Sequence, residues 1–307
     1  LKMISIKEVA YKNYGKCLAI SNEIMEVLVT VDIGPRIIKC NLCGKENMMF
    51  EDIERNFSED VSELFGADKK WYIYGGHRVW MSPESFPVTY YPDNDKVVYR
   101  TFPSGAEFTP ATQAVSGIQI TLKLEMAENE PKLKLTHKIT NTKKEPVMGS
   151  LWCLSVMAPG GTALVAQPTE DTGLLANRSL IIWPYTRMTD KRMTITDKHI
   201  TISQDKNADT KLKIGFNNTK GKAAYINKDQ ALVKYSEYKN GASYPDNGCS
   251  VEIFTNSLFE EVETLSPLQT IARGESIVHT EEWTMFDNVQ ITEKTEEALE
   301  ELANRLF

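Results

Sequence analysis

The clearest patterning lies in the middle of the chain, where Ile118, Ile120, Leu122, Leu124 and Met126 alternate with Gln119, Thr121, Lys123 and Glu125. A period of two marks a strand with one face buried. After a turn over 127–131, Leu133, Leu135, His137 and Ile139 point one way while Lys132, Lys134, Thr136 and Lys138 point the other. The pattern therefore predicts an antiparallel hairpin over 118–141, with His137 on its apolar face. Short β-type runs at 4–9, 17–20, 25–31 and 36–40, broken by Asn13-Tyr-Gly15, Ser21-Asn22 and Gly34-Pro35, predict an opening meander. Further strands are expected at 147–157, 193–196, 199–203, 211–216, 223–226, 231–238, 251–254, 259–265 and 276–286. Residues 51–67 read as a short helix or a loop over the sheet. Only 292–307 is clearly helical, with Ala298, Leu299, Leu302, Ala303 and Leu306 on one face. So many short strands with one terminal helix predict an all-β sandwich or barrel. With no Pro-, Gly- or Ser-rich linker and no fixed-period repeat, one domain over 1–307 is the preferred reading.

Composition narrows the function classes. At 41% hydrophobic and 25% charged residues the chain is ordinary for a soluble globular protein. A net charge of −7, with no Lys/Arg block, argues against a nucleic-acid partner. No apolar run approaches the length of a membrane span, and residues 1–19 do not read as a leader, so a cytoplasmic location is expected. Five cysteines, an odd number scattered over a long chain, suit reduced thiols. Cys40 and Cys43 have half the spacing of a zinc ribbon, but no second Cys or His pair follows, so neither metal nor cofactor is expected. A small neutral or polar ligand fits this chain better than a macromolecule.

The densest chemistry lies in Trp71-Tyr-Ile-Tyr-Gly-Gly-His-Arg-Val-Trp-Met-Ser-Pro-Glu84. Gly75 and Gly76 permit a turn or a close backbone approach. His77 exchanges protons near neutral pH, and Arg78 presents a planar fork of donors. Trp71, Tyr72, Tyr74 and Trp80 offer flat faces of the kind on which sugar rings stack. The alternative is a buried strand ending in a Gly turn, with Arg78 and Glu84 paired for structure. Prolines and Asp93-Asn94-Asp95 mark 86–95 as a loop at the edge of this segment.

Four segments together resemble the galactose mutarotase (aldose 1-epimerase) superfamily, most closely its uncharacterised bacterial branches. They are Ile33-Gly-Pro-Arg-Ile-Ile, the Gly-Gly-His-Arg-Val-Trp stretch, Ile139-Thr-Asn-Thr-Lys-Lys-Glu-Pro-Val, and Val262-Glu-Thr-Leu-Ser-Pro followed by Arg273-Gly-Glu-Ser. Their order and spacing over residues 24–286 carry the likeness. It implies an antiparallel β-supersandwich and a small-molecule carbohydrate as partner.

Mutarotases open an aldose ring with a carboxylate that takes the anomeric proton and a histidine that protonates the ring oxygen. The resemblance places Glu263 at the base position. The stretch matching the strand of the acid histidine, Gly149-Ser-Leu-Trp152-Cys-Leu, has no histidine. His77 is then the candidate acid, with His137 second, while His199 and His279 receive no role. Arg78, Trp80, Glu84, His137 and Trp152 are the expected substrate-binding residues. Asp246 and Asn247 join them as hydroxyl ligands, although Pro-Asp-Asn-Gly is also what a tight turn requires. Two classes of function stay open: an aldose 1-epimerase-like isomerase with Glu263 as base and His77 as acid, and a non-catalytic carbohydrate-binding protein. His77 and Glu263 are expected to line one concave surface. The oligomeric state is left open.

Overall fold

A computed structural model describes residues 4–307; the first three residues of the stretch read for a leader lie outside it. Two large antiparallel sheets face one another. The eleven-stranded sheet runs in the order Ser5–Ala10, Lys16–Ser21, Met25–Thr30, Ile37–Leu42, Gly76–Ser82, Val147–Met157, Glu260–Leu265, Val251–Thr255, Leu212–Phe216 and Leu180–Ile182, with Gln269–Ile271 pairing onto Val147–Met157. The ten-stranded sheet runs Met193–Ile195, His199–Ser203, Thr162–Ala166, Lys222–Asn227, Gln230–Tyr235, Ser276–Asp287, Lys132–Asn141, Ile118–Met126, Gly105–Thr109 and Val98–Phe102. The central hairpin is present in the register its pattern requires, with Leu122 opposite His137 and Leu124 opposite Leu135.

The main apolar core fills the space between the sheets and includes Val27, Ile37, Phe108, Leu124, Leu135, Val262 and Trp283. A second aromatic cluster, with Trp71, Trp80, Trp152, Leu154 and Phe259, covers the other face of the eleven-stranded sheet. The alternation of a strand explains the division. Odd positions of Gly76–Ser82 turn inward, and even positions turn toward the second cluster.

The terminal helix is Glu296–Leu306, four residues shorter at its start than the apolar pattern suggests. Thr295 ends the extended chain and caps the helix, its side chain accepting a hydrogen bond from the Ala298 N–H. Leu299, Ala303 and Leu306 pack against Leu164, Ala224 and Val233 of the ten-stranded sheet. Residues 51–67 hold only one helical turn, Ser62–Phe65, and a short strand, Ser58–Asp60, paired with Lys70–Tyr72. No helix among the described residues is long and apolar enough to cross a membrane.

Candidate functional site

Strand register decides which side chains meet. Arg78 lies opposite Leu154, and Leu154 opposite Glu263, so these three share one face of the sheet. His77 lies opposite Ser155, and Ser155 opposite Val262, so these share the other. His77 and Glu263 therefore do not line one surface, as the family pattern leads one to expect. A sheet turns successive residues to opposite sides, and 77 and 263 fall on opposite phases once the strands pair.

The outer face carries a cleft of about 330 Å³. Trp71, Trp80, Tyr90, Trp152, Trp183, Tyr185 and Phe254 wall it, and Arg78, Lys211, Lys213, Glu59, Glu84 and Glu261 are its charged residues. Trp80 and Trp152 meet edge to face at 5.5 Å, and Tyr90 packs on Trp80 at 4.7 Å and on Trp71 at 5.0 Å. Tyr90 comes from the loop at 86–95. That loop is tied down by a half-buried ion pair in which Arg36 grips both carboxylate oxygens of Asp93. Gly75 and Gly76 give the entering strand its path. Both have positive φ, and a Cβ on either would lie 2.0 Å from the Phe50 carbonyl oxygen or 2.2 Å from that of Ile37.

Arg78 and Lys213 are each held by a carboxylate and an aromatic face. Arg78 Nη1 donates to Glu261 Oε1 at 3.1 Å, and the guanidinium lies 4.4 Å from the Trp80 ring. Lys213 Nζ pairs with Glu252 at 2.7 Å and Glu263 at 3.0 Å, between the rings of Trp152 and Trp183. Burial works against the Lys213 charge, but Glu263 and Glu252 outweigh it and raise its pKa. Burial lifts Glu252 well above the usual carboxylate range against the pull of Lys213. It lifts Glu261 too, against Arg78.

Glu263 is fully buried, one layer beneath the lining. Its Oε2 accepts from Trp152 Nε1 at 2.6 Å, while Oε1 has no partner. Arg78 Nε and Trp71 Nε1 are also buried donors without an acceptor. Two donors left open on cleft-lining residues are what a hydroxylated ligand would complete.

The expected site residues thus divide. Arg78, Trp80, Glu84 and Trp152 line the cleft. Glu84 accepts from the Tyr90 hydroxyl and makes no pair with Arg78, whose partner is Glu261. Asp246 and Asn247 are not in the lining; with φ of 50° and 62° they form the left-handed turn Pro245–Gly248. His77 and His137 lie between the sheets, fully buried.

The interior histidines belong to a closed polar network. His137 Nδ1 donates to the His279 carbonyl at 3.0 Å, so its Nε2 accepts, and His77 Nε2 donates to it at 2.9 Å. His77 Nδ1 then accepts from Ser155 Oγ at 2.8 Å, which itself accepts from Lys234 Nζ at 3.0 Å. His279 Nε2 donates to Thr264 Oγ1 at 2.9 Å, and Thr264 donates to Glu281. Lys234 pairs with Glu281 at 3.0 Å, and Trp283 Nε1 donates to its other oxygen at 2.7 Å. Burial pushes His77 well below its ordinary pKa, lowers His137, and takes His279 down to about 3, in each case against the nearby Glu281. Burial would raise the Glu281 pKa, but the Lys234 ammonium leads the groups that hold it low.

Among the described residues, His77, His137 and Glu281, and likewise Cys153, His279 and Glu281, bring ligand atoms within 4.8 Å of one another. Sequence spacing gave no hint of either group, because the fold assembles them from separate strands. Both ring nitrogens of His77 and His137 and the Nε2 of His279 are already spent on protein hydrogen bonds, and the Lys234 ammonium touches the shared carboxylate, which disfavours a further cation there. Cys40 Sγ sits in the core 4.0 Å from Met285 Sδ while Cys43 is exposed, so those two thiols do not converge.

Lys213, Glu261, Trp183 and Tyr185 were not among the expected site residues. A lone lysine within an apolar strand was the available signal for Lys213, and for Lys234. Glu261 was legible as the same-face neighbour of Glu263, two residues away.

No family model matches this chain, and no curated protein matches it by sequence. Solved structures do. An inferred aldose 1-epimerase from Klebsiella pneumoniae aligns with a TM-score of 0.61 at 11% identity, over 99% of this chain and 87% of that one. A galactose mutarotase-like protein from Clostridium acetobutylicum aligns with a TM-score of 0.53 at 12% identity, over 94% and 100%. A TPR-domain protein from Parabacteroides distasonis aligns with a TM-score of 0.61 at 12% identity over 91% of this chain, which spans about half (49%) of that protein's length. The fold is the galactose mutarotase-like β-supersandwich.

Proposed function

We propose that the aromatic cleft binds an aldose and speeds the interconversion of its anomers, with a carboxylate of the Glu261 and Glu263 pair as proton acceptor. The observation that carries this reading is the pair of open donors, Arg78 Nε and Trp71 Nε1, beside the Glu261 carboxylate in a cleft walled by tryptophan and tyrosine. Indole faces suit the C–H faces of a sugar, and the open donors and acceptor suit its hydroxyls. The mutarotase-like fold supports the same class of ligand, though fold alone does not carry function.

His77 has no part in this version of the site. It is buried between the sheets on the face away from this cleft, and both its nitrogens are engaged. That no histidine lines the cleft favours a second reading, a carbohydrate-binding protein without catalysis. Anomer exchange followed by NMR over a panel of free and phosphorylated aldoses separates the two. The enzyme reading predicts faster exchange, lost by roughly 10²-fold or more in the double variant Glu261→Gln/Glu263→Gln. Sugar binding with no acceleration for any aldose would leave the binding reading in its place.

A further inference from the structure

We infer that Glu261, and not Glu263, is the carboxylate that exchanges protons with the sugar, while Glu263 is a positioning residue that holds Lys213 over the cleft. The inference rests on the proposed anomer-converting function and assigns its chemistry within the same site.

The two glutamates lie on one face of the strand Glu260–Leu265, about 6.6 Å apart along the chain. Their surroundings differ. Glu261 lines the cleft, and one of its oxygens is fixed by Arg78, itself clamped on the Trp80 ring. Glu263 is wholly buried, and the two groups that contact its Oε2, Trp152 and Lys213, are cleft-lining residues that stand between it and a ligand. A base must come within hydrogen-bond reach of the proton it takes. Glu261 meets that condition with no rearrangement, whereas Glu263 meets it only if Lys213 or Trp152 moves. Glu252, directly opposite Glu263 on the neighbouring strand, is also fully buried and contacts the other side of the same ammonium.

Lys213 completes the chemistry. Two buried carboxylates keep it cationic, so it acts as a fixed positive charge more than as a proton donor. In the forward step the Glu261 carboxylate takes the proton of the anomeric hydroxyl. That oxygen becomes the aldehyde carbonyl as the bond from C1 to the ring oxygen breaks and its electron pair passes to the ring oxygen. The Lys213 ammonium stabilises the alkoxide so formed. The Glu261 carboxyl then returns its proton to that alkoxide. Both oxygens are bonded to C1 in the closed ring, so one carboxyl reaches each in turn. The open-chain aldehyde carries a neutral hydroxyl, and Glu261 is again a carboxylate. Rotation about the C1–C2 bond and reversal of these steps closes the ring on the other face. The raised pKa of Glu261 makes it a stronger base than a solvated carboxylate. This route needs no histidine.

The test compares Glu261→Gln, Glu263→Gln and Lys213→Met for anomer exchange by NMR as a function of pH, with sugar affinity read from tryptophan fluorescence. Glu261→Gln is expected to lose roughly 10² to 10⁴-fold in rate while still binding sugar, and to lose the rise in rate with pH that reports ionisation of the base. Glu263→Gln is expected to keep that rise, because Glu252 still anchors Lys213, with a smaller rate loss and a shifted KM. Lys213→Met should lose rate yet also keep the pH limb. Glu261→Asp guards against a folding artefact: partial activity with the limb retained supports the assignment. An active Glu261→Gln alongside a dead Glu263→Gln that has lost the limb overturns the assignment and makes Glu263 the base, leaving the sugar-converting function intact. A wild type that accelerates no aldose removes that function and this assignment with it.

Discussion

Replacing Lys234 by methionine tests the account of the interior network, because it removes the one cation that balances Glu281. Lys234 is 1% exposed and makes three contacts near 3.0 Å, to Ser155 Oγ, the Val262 carbonyl and Glu281. Methionine fills a similar volume but leaves Glu281 a buried anion with only Thr264 and Trp283 as donors. Breaking a buried pair in this way costs about 3–5 kcal/mol. Glu281→Met should cost a similar amount by stranding the ammonium. The double variant carries no unpaired charge, and its loss should fall short of the sum of the singles by about 2 kcal/mol or more. The pH dependence has a defined sign. In the wild type Glu281 has a lowered pKa, so its stabilising contribution is present above its unfolded pKa and lost on acidification. Without Lys234 that pKa rises, protonation relieves the buried charge, and the gap between variant and wild type should narrow as pH falls from 7 toward 5. Urea unfolding followed by tryptophan fluorescence reads all of these. Additive singles, or a Lys234→Met loss under about 1 kcal/mol, would refute the reasoning.

Two further outcomes follow from the geometry. Gly75→Ala places a Cβ 2.0 Å from the Phe50 carbonyl oxygen at φ of 104°, so it should cost about 2 kcal/mol or more in urea unfolding; a neutral effect would show that the segment can take another path. His279, held neutral with a pKa near 3 against an ordinary 6.5, contributes stability that is present above pH 6.5 and lost as pH falls toward 3. His279→Gln can still donate to Thr264 and has no proton to gain, so its stability should decline less steeply over that window. Parallel profiles would remove His279 from the acid response.

Much of the fold was legible because alternation is a direct print of burial. The hairpin at 118–141 and the strand Val147–Met157 stood at the positions their patterns gave. Strands with weak patterns escaped, among them Val98–Phe102 and Gly105–Thr109, where Tyr99, Arg100, Thr101 and Glu107 break any clean period. The aromatic and basic parts of the cleft, Arg78, Trp80 and Trp152, were also legible, since their residue types suit few other tasks. What no single strand could tell is which residues of different strands share a face. His77 looked catalytic beside Arg78 because adjacency in sequence hides opposition in a sheet. Lys213 and Lys234 were missed for the converse reason: each is a charge in an apolar run, explained only by carboxylates that pairing brings from elsewhere.

The most direct measurement of the central claim is a crystal structure of the protein with an aldose bound. The account predicts the sugar ring among Trp71, Trp80, Trp152 and Tyr185, its anomeric hydroxyl about 2.5–3.0 Å from a Glu261 oxygen, and its ring oxygen facing the Lys213 ammonium. A sugar seated instead in the hollow between Lys198, Lys222 and the terminal helix, or lying in the cleft with its anomeric carbon turned away from Glu261, would contradict it.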